Sequence, residues 1–203
     1  MKTLDIRNKE LRVILDKYLT SFLAFDRSAL PYRTHTITAD YACSEEYLAH
    51  MQGKKVDGFP EQTHGVDLSK YTPPNFSEPL RTFDTNVMSW SGCRYNAVKM
   101  VYPKGGYMGW HHNANAPGYN VLFSWSEKGL GYFKYQDPIT KEFVVFRDTP
   151  GWTCKVGYFG DFSQPDKMIW HCANAKNEER ITLAYVIPHE GMWSSMCEDI
   201  ETV

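Results

Sequence analysis

The chain has 203 residues, of which 42% are hydrophobic and 15% aromatic, enough for one well-filled core and too few for two large domains. A formal net charge of -2 and a pI near 6.4 give no electrostatic footprint for nucleic acid or for an anionic membrane. The five cysteines are odd in number and lack CxxC spacing, so we expect free thiols and neither a disulfide framework nor a zinc knuckle.

The amino-terminal region, residues 1–94, is expected to be a helical and irregular support. Apolar residues recur at helical spacing over residues 6–25 and predict an amphipathic helix. A second helix is predicted over residues 44–51, with Ser44 as its N-cap. Residues 53–79 are rich in Gly, Pro and polar types, which predicts an irregular excursion that acts as a lid or substrate loop.

No apolar run in the sequence is long enough for a secretory signal or a membrane span, so we expect a cytoplasmic protein. From residue 95 onward, short apolar and aromatic runs alternate with turn residues. The runs predicted as strands are 95–102, 107–112, 119–125, 131–135, 143–147, 152–159, 168–172 and 180–187. Short strands at regular spacing predict a sandwich or barrel. We therefore expect a single domain with its β-rich core over residues 95–187 and a tail over residues 188–203.

Two histidines on these strands are the candidate metal ligands. Strand side chains alternate between faces, so His111 and Asn113 point to one side while His112 points to the other. His171 lies on a later predicted strand, between Trp170 and a cysteine. Neutral imidazole is the commonest nitrogen ligand of divalent transition metals, so two strands are expected to bring His111 and His171 to one rigid site.

The last predicted strand, which follows the one that carries His171, begins with an arginine. Alternation places Arg180 and Thr182 on one face of that strand and Ile181 on the other. A guanidinium and a hydroxyl on one face can hold a single carboxylate together.

The stretches 102–113, 170–172 and 180–183 together resemble the iron(II) and 2-oxoglutarate dependent oxygenase superfamily. The resemblance covers about residues 95–187, and the Trp-His-x-Asn stretch followed by Pro-Gly is similar to a prolyl-hydroxylase-like subgroup. It implies a mainly β fold with flanking helices around a double-stranded β-helix, the jelly-roll or cupin-like core.

The resemblance also implies roles for individual residues. His111 and His171 match the two iron-binding histidines, and Asn113 occupies the third metal position. Arg180 and Thr182 match the pair that holds the distal carboxylate of 2-oxoglutarate, and Tyr102 helps to bind that cosubstrate. The implied activity is that of a dioxygenase that uses Fe(II), 2-oxoglutarate and dioxygen to hydroxylate a small molecule or a peptide, with neither nucleic acid nor a membrane as partner.

Asn113 departs from the superfamily, which has Asp or Glu at this position. An amide oxygen is a neutral and weaker donor toward Fe(II) than a carboxylate. Three alternatives follow. Asn113 coordinates weakly through its oxygen, or it leaves the position to water or chloride, or Asp161 or Asp166 reaches the metal instead.

Two functional alternatives accompany the hydroxylase interpretation. An open iron position is typical of halogenating members of the superfamily. A cupin-like domain that binds a metal or a small acid without turnover is the alternative from another class. The remaining histidines are expected to be ordinary loop or surface residues, namely His35, His50, His64 and His189.

Overall fold

The computed structural model describes residues 1–32, 36–54 and 56–203, so His35 lies outside the described part of the chain. The helices are α1 (Lys9–Ala24), a short 3-10 helix (Arg27–Ala29), α2 (Ala39–Ala42), α3 (Glu45–Gln52), α4 (Pro74–Ser91) and α5 (Glu190–Glu201). The strands are β1 (Lys2–Leu4), β2 (Thr63–His64), β3 (Val66–Asp67), β4 (Tyr95–Tyr102), β5 (Tyr107–His111), β6 (Gly118–Ser126), β7 (Tyr132–Gln136), β8 (Phe143–Arg147), β9 (Gly151–Phe159), β10 (Trp170–Asn174) and β11 (Arg180–Ile187).

The strands form two antiparallel sheets, with orders β1-β9-β6-β11-β4-β3 and β2-β5-β10-β7-β8. From β4 to β11 the pairing is nested, since β4 pairs with β11, β5 with β10, β6 with β9 and β7 with β8. Nested pairing of eight strands across two sheets is the jelly-roll arrangement. The predicted double-stranded β-helix with flanking helices is therefore confirmed, and each predicted strand matches an observed one to within about two residues at either end.

Helices α1 and α4 cover the outer face of the sheet that contains β11. Helix α1 begins after Asn8, whose Oδ1 accepts a hydrogen bond from the Leu11 backbone N at 3.0 Å. Its buried stripe is Leu11, Leu15, Tyr18 and Phe22, as the predicted amphipathic helix requires. The stripe packs with α4 and with the outward side chains of β11, which include Ile181 and Leu183. The opposite side chains of β11 consequently face the space between the sheets.

The second sheet is covered by α2 and α3. Ser44 is the N-cap of α3, as predicted, and its Oγ accepts a hydrogen bond from the Tyr47 backbone N. The cluster behind this sheet contains Trp110 and Trp170 with the buried side chains of α3. Both sheets are thus covered on their outer faces, which leaves the space between them for the site.

Two segments are more regular than expected. Residues 53–79 were expected to form an irregular lid, but they contain β2 and β3, and helix α4 begins at Pro74. Proline suits the first turn of a helix because its φ is already helical and it has no N–H to leave unpaired, so composition alone was misleading here. The expected tail, residues 188–203, contains α5, which buries Met196 and Ile200. None of the helices in the described residues is long and apolar enough to cross a bilayer.

Helix α1 should contribute to the stability of the core through its buried face. We expect Leu15→Ala to lower the free energy of unfolding by about 2–5 kcal/mol, because it removes a fully buried side chain and leaves a cavity. Leu23→Ala on the same helix is the matched control, since Leu23 is 47% exposed and should change stability by no more than about 0.5 kcal/mol. Urea denaturation measures both values, and equal effects would contradict the described packing.

Candidate functional site

The two candidate ligand histidines lie directly opposite each other on neighbouring strands. His111 on β5 and His171 on β10 are partners in the antiparallel register. Their ring centroids are 4.1 Å apart, and each residue is only 5% exposed. The pairing of the two strands shifts register between His171 and Ala173, a bulge of the kind that re-aims side chains next to functional sites.

Each histidine is held by a backbone carbonyl in one ring orientation. His111 Nδ1 lies 2.9 Å from the Gly109 carbonyl oxygen, and His171 Nδ1 lies 2.9 Å from the Ile169 carbonyl oxygen. A carbonyl oxygen can only accept, so Nδ1 donates and carries the proton in both rings. The lone pair of each ring therefore resides on Nε2, which is the arrangement found when a carbonyl oxygen orients a histidine that binds a metal.

Burial keeps both imidazoles neutral. It lowers the pKa of His111 to about 4, and it lowers the pKa of His171 well below its ordinary value, with a further contribution from the neighbouring His111. Both rings are consequently unprotonated at Nε2 near neutral pH.

His112 points to the other side of the sheet, as the alternation predicted. Its ring packs edge-on against Trp170 at 4.7 Å and against Phe162 at 5.3 Å between centroids. Its Nδ1 accepts a hydrogen bond from the Ala114 backbone N at 3.3 Å. His112 is therefore a packing residue that is separated from the paired histidines by the strand itself.

Asn113 follows β5 and lies beside the histidine pair at the mouth of the space between the sheets. It lines the same inner cavity as His111 and His171. Its backbone oxygen accepts a hydrogen bond from the Ala116 N at 2.9 Å, which fixes the turn that carries it.

Neither Asp161 nor Asp166 lines the cavity that holds the histidine pair. Asp161 Oδ1 accepts hydrogen bonds from the Ser163 backbone N at 2.8 Å and from its hydroxyl, and Asp166 is exposed. Within residues 1–32, 36–54 and 56–203, no group of three or more His, Cys, Asp or Glu side chains is placed to hold a metal. The alternative in which Asp161 or Asp166 supplies the third ligand is therefore not supported.

The three candidate cosubstrate residues meet at the inner end of the same cavity. Arg180 and Tyr102 are register partners on β11 and β4, and the guanidinium carbon lies 5.8 Å from the tyrosine ring centroid. Arg180 Nη1 donates a hydrogen bond to Thr182 Oγ1. Arg180 and Tyr102 are each 1% exposed and Thr182 is 7% exposed. His111, His171 and Arg180 all line this one cavity.

The cavity is narrow, at about 40 Å³, and its remaining walls are largely apolar. These walls include Leu122, Phe133, Phe159 and Ala184. At the end that carries His111 and Asn113 it meets a wider outer pocket of about 510 Å³, which both residues also line. Part of the far rim of that pocket comes from the segment that was expected to be a lid, through Phe59, Pro60 and Thr63.

A buried ionic cluster behind Arg180 was not predicted. Asp148 accepts hydrogen bonds from Arg180 Nε at 2.6 Å and from Arg180 Nη2 at 3.3 Å. Lys155 Nζ also donates to Asp148, at 3.0 Å, and Ser124 Oγ accepts from Arg180 Nη2 at 3.1 Å. Burial by itself would raise the pKa of Asp148, but the charges and hydrogen bonds of Arg180 and Lys155 outweigh it and bring that pKa to about 2. A lysine inside the apolar run of β9 was the one signal in the sequence that pointed to this cluster.

No protein-family model matches the sequence, and no curated protein matches it either. Several solved structures are similar at low identity. A prolyl-4-hydroxylase from Pseudomonas putida is 12% identical over 87% of this chain and 98% of that chain, with a TM-score of 0.37. A prolyl hydroxylase from Trichoplax adhaerens, in complex with a hypoxia inducible factor oxygen degradation domain peptide fragment, is 13% identical over 90% of this chain and 81% of that chain, with a TM-score of 0.44. A 2OG-Fe(II) oxygenase family oxidoreductase from Burkholderia pseudomallei is 15% identical over 74% of this chain and 82% of that chain, with a TM-score of 0.38. Likeness of this degree identifies no activity, so the function has to be inferred from the residues of the cavity.

Proposed function

We propose that the protein is an Fe(II) and 2-oxoglutarate dependent oxygenase that hydroxylates a small molecule or a peptide. The observation that carries the proposal is the shared buried cavity. At one end it holds two imidazoles anchored through Nδ1, and at the other an arginine with two hydroxyl groups beside it.

The donor set fits Fe(II). Neutral imidazole nitrogens suit iron, and carbonyl-type oxygens are harder and weaker ligands. His111 and His171 would bind through Nε2, and Asn113 would offer its side-chain oxygen from the same side. No protein charge would then neutralise the metal directly, so an anionic chelating ligand is the natural complement of this centre.

The inner end of the cavity fits the distal carboxylate of 2-oxoglutarate. The Tyr102 and Thr182 hydroxyls and Arg180 Nη1 lie together there, and charge-assisted hydrogen bonds from a guanidinium are strong in a buried site. The apolar walls suit the two methylene groups between the carboxylate and the oxo acid. Because the cavity is narrow, a ligand that reaches Arg180 extends past the histidines toward the outer pocket.

When bound, the metal and the cosubstrate supply the activation of dioxygen that no amino-acid side chain provides. The contribution of the chain is to orient the two ligands and to exclude water. Apolar side chains such as Phe133 and Phe159 pack against His171, with ring centroids at 5.4 and 5.0 Å. The outer pocket, next to His111 and Asn113, is where the substrate to be hydroxylated would lie.

Two other functions use the same site. The lack of a third acidic ligand near the histidines in the described residues favours halogenation through an open position, or metal and small-acid binding without turnover. Aerobic incubation with Fe(II) and 2-oxoglutarate separates the three. We expect succinate to form and to be independent of chloride. Chloride-dependent chlorinated product would favour the halogenase, and a lack of succinate at full iron loading would favour the binding domain.

The roles of the two ends of the cavity predict different losses on substitution. We expect His111→Ala or His171→Ala to abolish Fe(II) binding, because each removes one of two strong nitrogen donors. Arg180→Met should leave Fe(II) binding intact and weaken 2-oxoglutarate by about 10- to 100-fold, the value of a lost charge-assisted contact. Asp148 keeps Lys155 as its counterion in that variant.

The measurement is an anaerobic titration with Fe(II) and then 2-oxoglutarate, followed through the visible charge-transfer band of the chelate. His112→Ala is the matched control, because the neighbouring imidazole faces away from the cavity and its loss should leave iron affinity unchanged. Wild-type titration curves for all of the site variants would show that the proposed site is wrong.

Position 113 can be tested by restoring a carboxylate. We expect Asn113→Asp to tighten Fe(II) binding by about tenfold, since a negative oxygen donor replaces a neutral one. Asn115→Asp is the matched control, because Asn115 is exposed and lines only the outer pocket. Calorimetric titration of Fe(II) under anaerobic conditions compares the two. Equal affinities in both variants would mean that residue 113 does not face the metal.

A further inference from the structure

The buried ionic cluster of Arg180, Asp148 and Lys155 contains two cations in contact with one anion. The side chains of Arg180, Asp148 and Lys155 are each 1% exposed, and Asp148 is the shared partner of both cations. Among the described residues, no other carboxylate lies within ion-pair distance of either cation. Two cations on one anion leave a single positive charge without a contacting partner.

The nearest further carboxylate does not cancel this charge by contact. Glu178 is buried, but its oxygens accept hydrogen bonds from the Ser126 hydroxyl at 2.5 Å and from backbone N–H groups. These N–H groups belong to Lys128, Leu130 and Gly131. Glu178 therefore holds the turn between β6 and β7, and its charge reaches Arg180 through space and not by contact.

Asp148 fixes the direction in which Arg180 points. Asp148 accepts hydrogen bonds from Nε and Nη2 of Arg180, and Ser124 accepts the second hydrogen bond from Nη2. Nη1 is therefore the nitrogen that remains to donate to Thr182. The backbone is shaped for this pair at Gly131. A Cβ atom there would lie 2.6 Å from Asp148 Oδ2 and 3.2 Å from Arg180 Cδ, so only glycine allows the pair to sit where it does.

Because the Asp148 carboxylate binds Arg180 through both of its oxygens, its negative charge opposes the binding of a second carboxylate to Arg180. Arg180 and Asp148 alone would form a neutral pair, and a second carboxylate brought to Nη1 would be attracted by the guanidinium and repelled by Asp148. Lys155, held by Asp148 and by the Thr153 hydroxyl at 2.9 Å, supplies the missing charge from behind. In a buried site such charges act over several ångströms with little screening.

We propose that Lys155 is a specificity-determining residue whose positive charge offsets that of Asp148 at the inner end of the cavity, with Asp148 as the positioning residue for Arg180. Lys155 does not contact the ligand. The charge selects 2-oxo acids that carry one distal carboxylate over those with an uncharged tail. This inference rests on the proposed function and deepens it, because it names what distinguishes the cosubstrate from other 2-oxo acids.

The test compares two ligands in the Fe(II)-loaded protein under anaerobic conditions: 2-oxoglutarate and 2-oxopentanoate, which has a methyl group in place of the distal carboxylate. We expect Lys155→Met to weaken the binding of 2-oxoglutarate by about tenfold and to leave the binding of 2-oxopentanoate unchanged. The selectivity ratio, which is the affinity for 2-oxoglutarate divided by that for 2-oxopentanoate, should therefore fall by the same factor. Lys134→Met is the matched control, because Lys134 is also on a core strand but lies over the Trp110 ring behind the sheet. Its ratio should equal that of the wild type.

A double variant separates charge from packing. Asp148→Asn combined with Lys155→Met removes one negative and one positive charge, so the net charge around Arg180 is the same as in the wild type. We expect its selectivity to return toward the wild-type ratio, whereas a purely structural role for Lys155 predicts a further loss. This variant also keeps the test decisive if the single variant does not fold.

The outcomes distinguish this inference from the proposed function. If the wild type binds neither ligand, both are overturned. If the wild type prefers 2-oxoglutarate and Lys155→Met keeps the same ratio, only the role of Lys155 is overturned. A double variant that is no more selective than Lys155→Met would also overturn it.

Discussion

The candidate site depends on the antiparallel register of β5 and β10. That register puts His111 opposite His171, and the spacing of paired strands then sets the separation of the rings. The carbonyls that accept from Nδ1 belong to Gly109 of β5 and to Ile169, which directly precedes β10, so neighbouring backbone fixes both the position and the tautomer of the two histidines. The two imidazoles at the metal end are therefore positioned by the pairing of these strands, whereas Asn113 is carried by the turn that follows β5.

Much of this could be predicted from the sequence because it is local. Alternation along short strands gave the two faces of β11 and separated His111 from His112, and turn residues marked where strands end. The site residues followed from spacing and from the resemblance to a family. The structure places Tyr102, Arg180 and the two histidines around one cavity, and the roles assigned to them stay predictions.

The parts that were missed depend on long-range contacts or on ambiguous composition. The ionic partners of Arg180 come from other strands and turns, and no spacing rule connects Asp148 or Lys155 to it. Helix α4 was missed because its prolines and polar residues are also typical of loops, although its apolar positions have helical spacing. In both cases tertiary packing selected one of several structures that the local sequence permits.

The ionic cluster has a consequence for the fidelity of folding. Lys155 lies between Cys154 and Val156, which pack in the layer of α1, and Arg180 is followed by Ile181, which packs there too. A slip of one residue in β9 or β11 would exchange the two faces of the strand and drive an ammonium or a guanidinium into hydrocarbon without its carboxylate. The cost of burying an unpaired charge therefore disfavours a shifted register. The charged residues that line or support the cavity thus also help to select the native pairing of the strands.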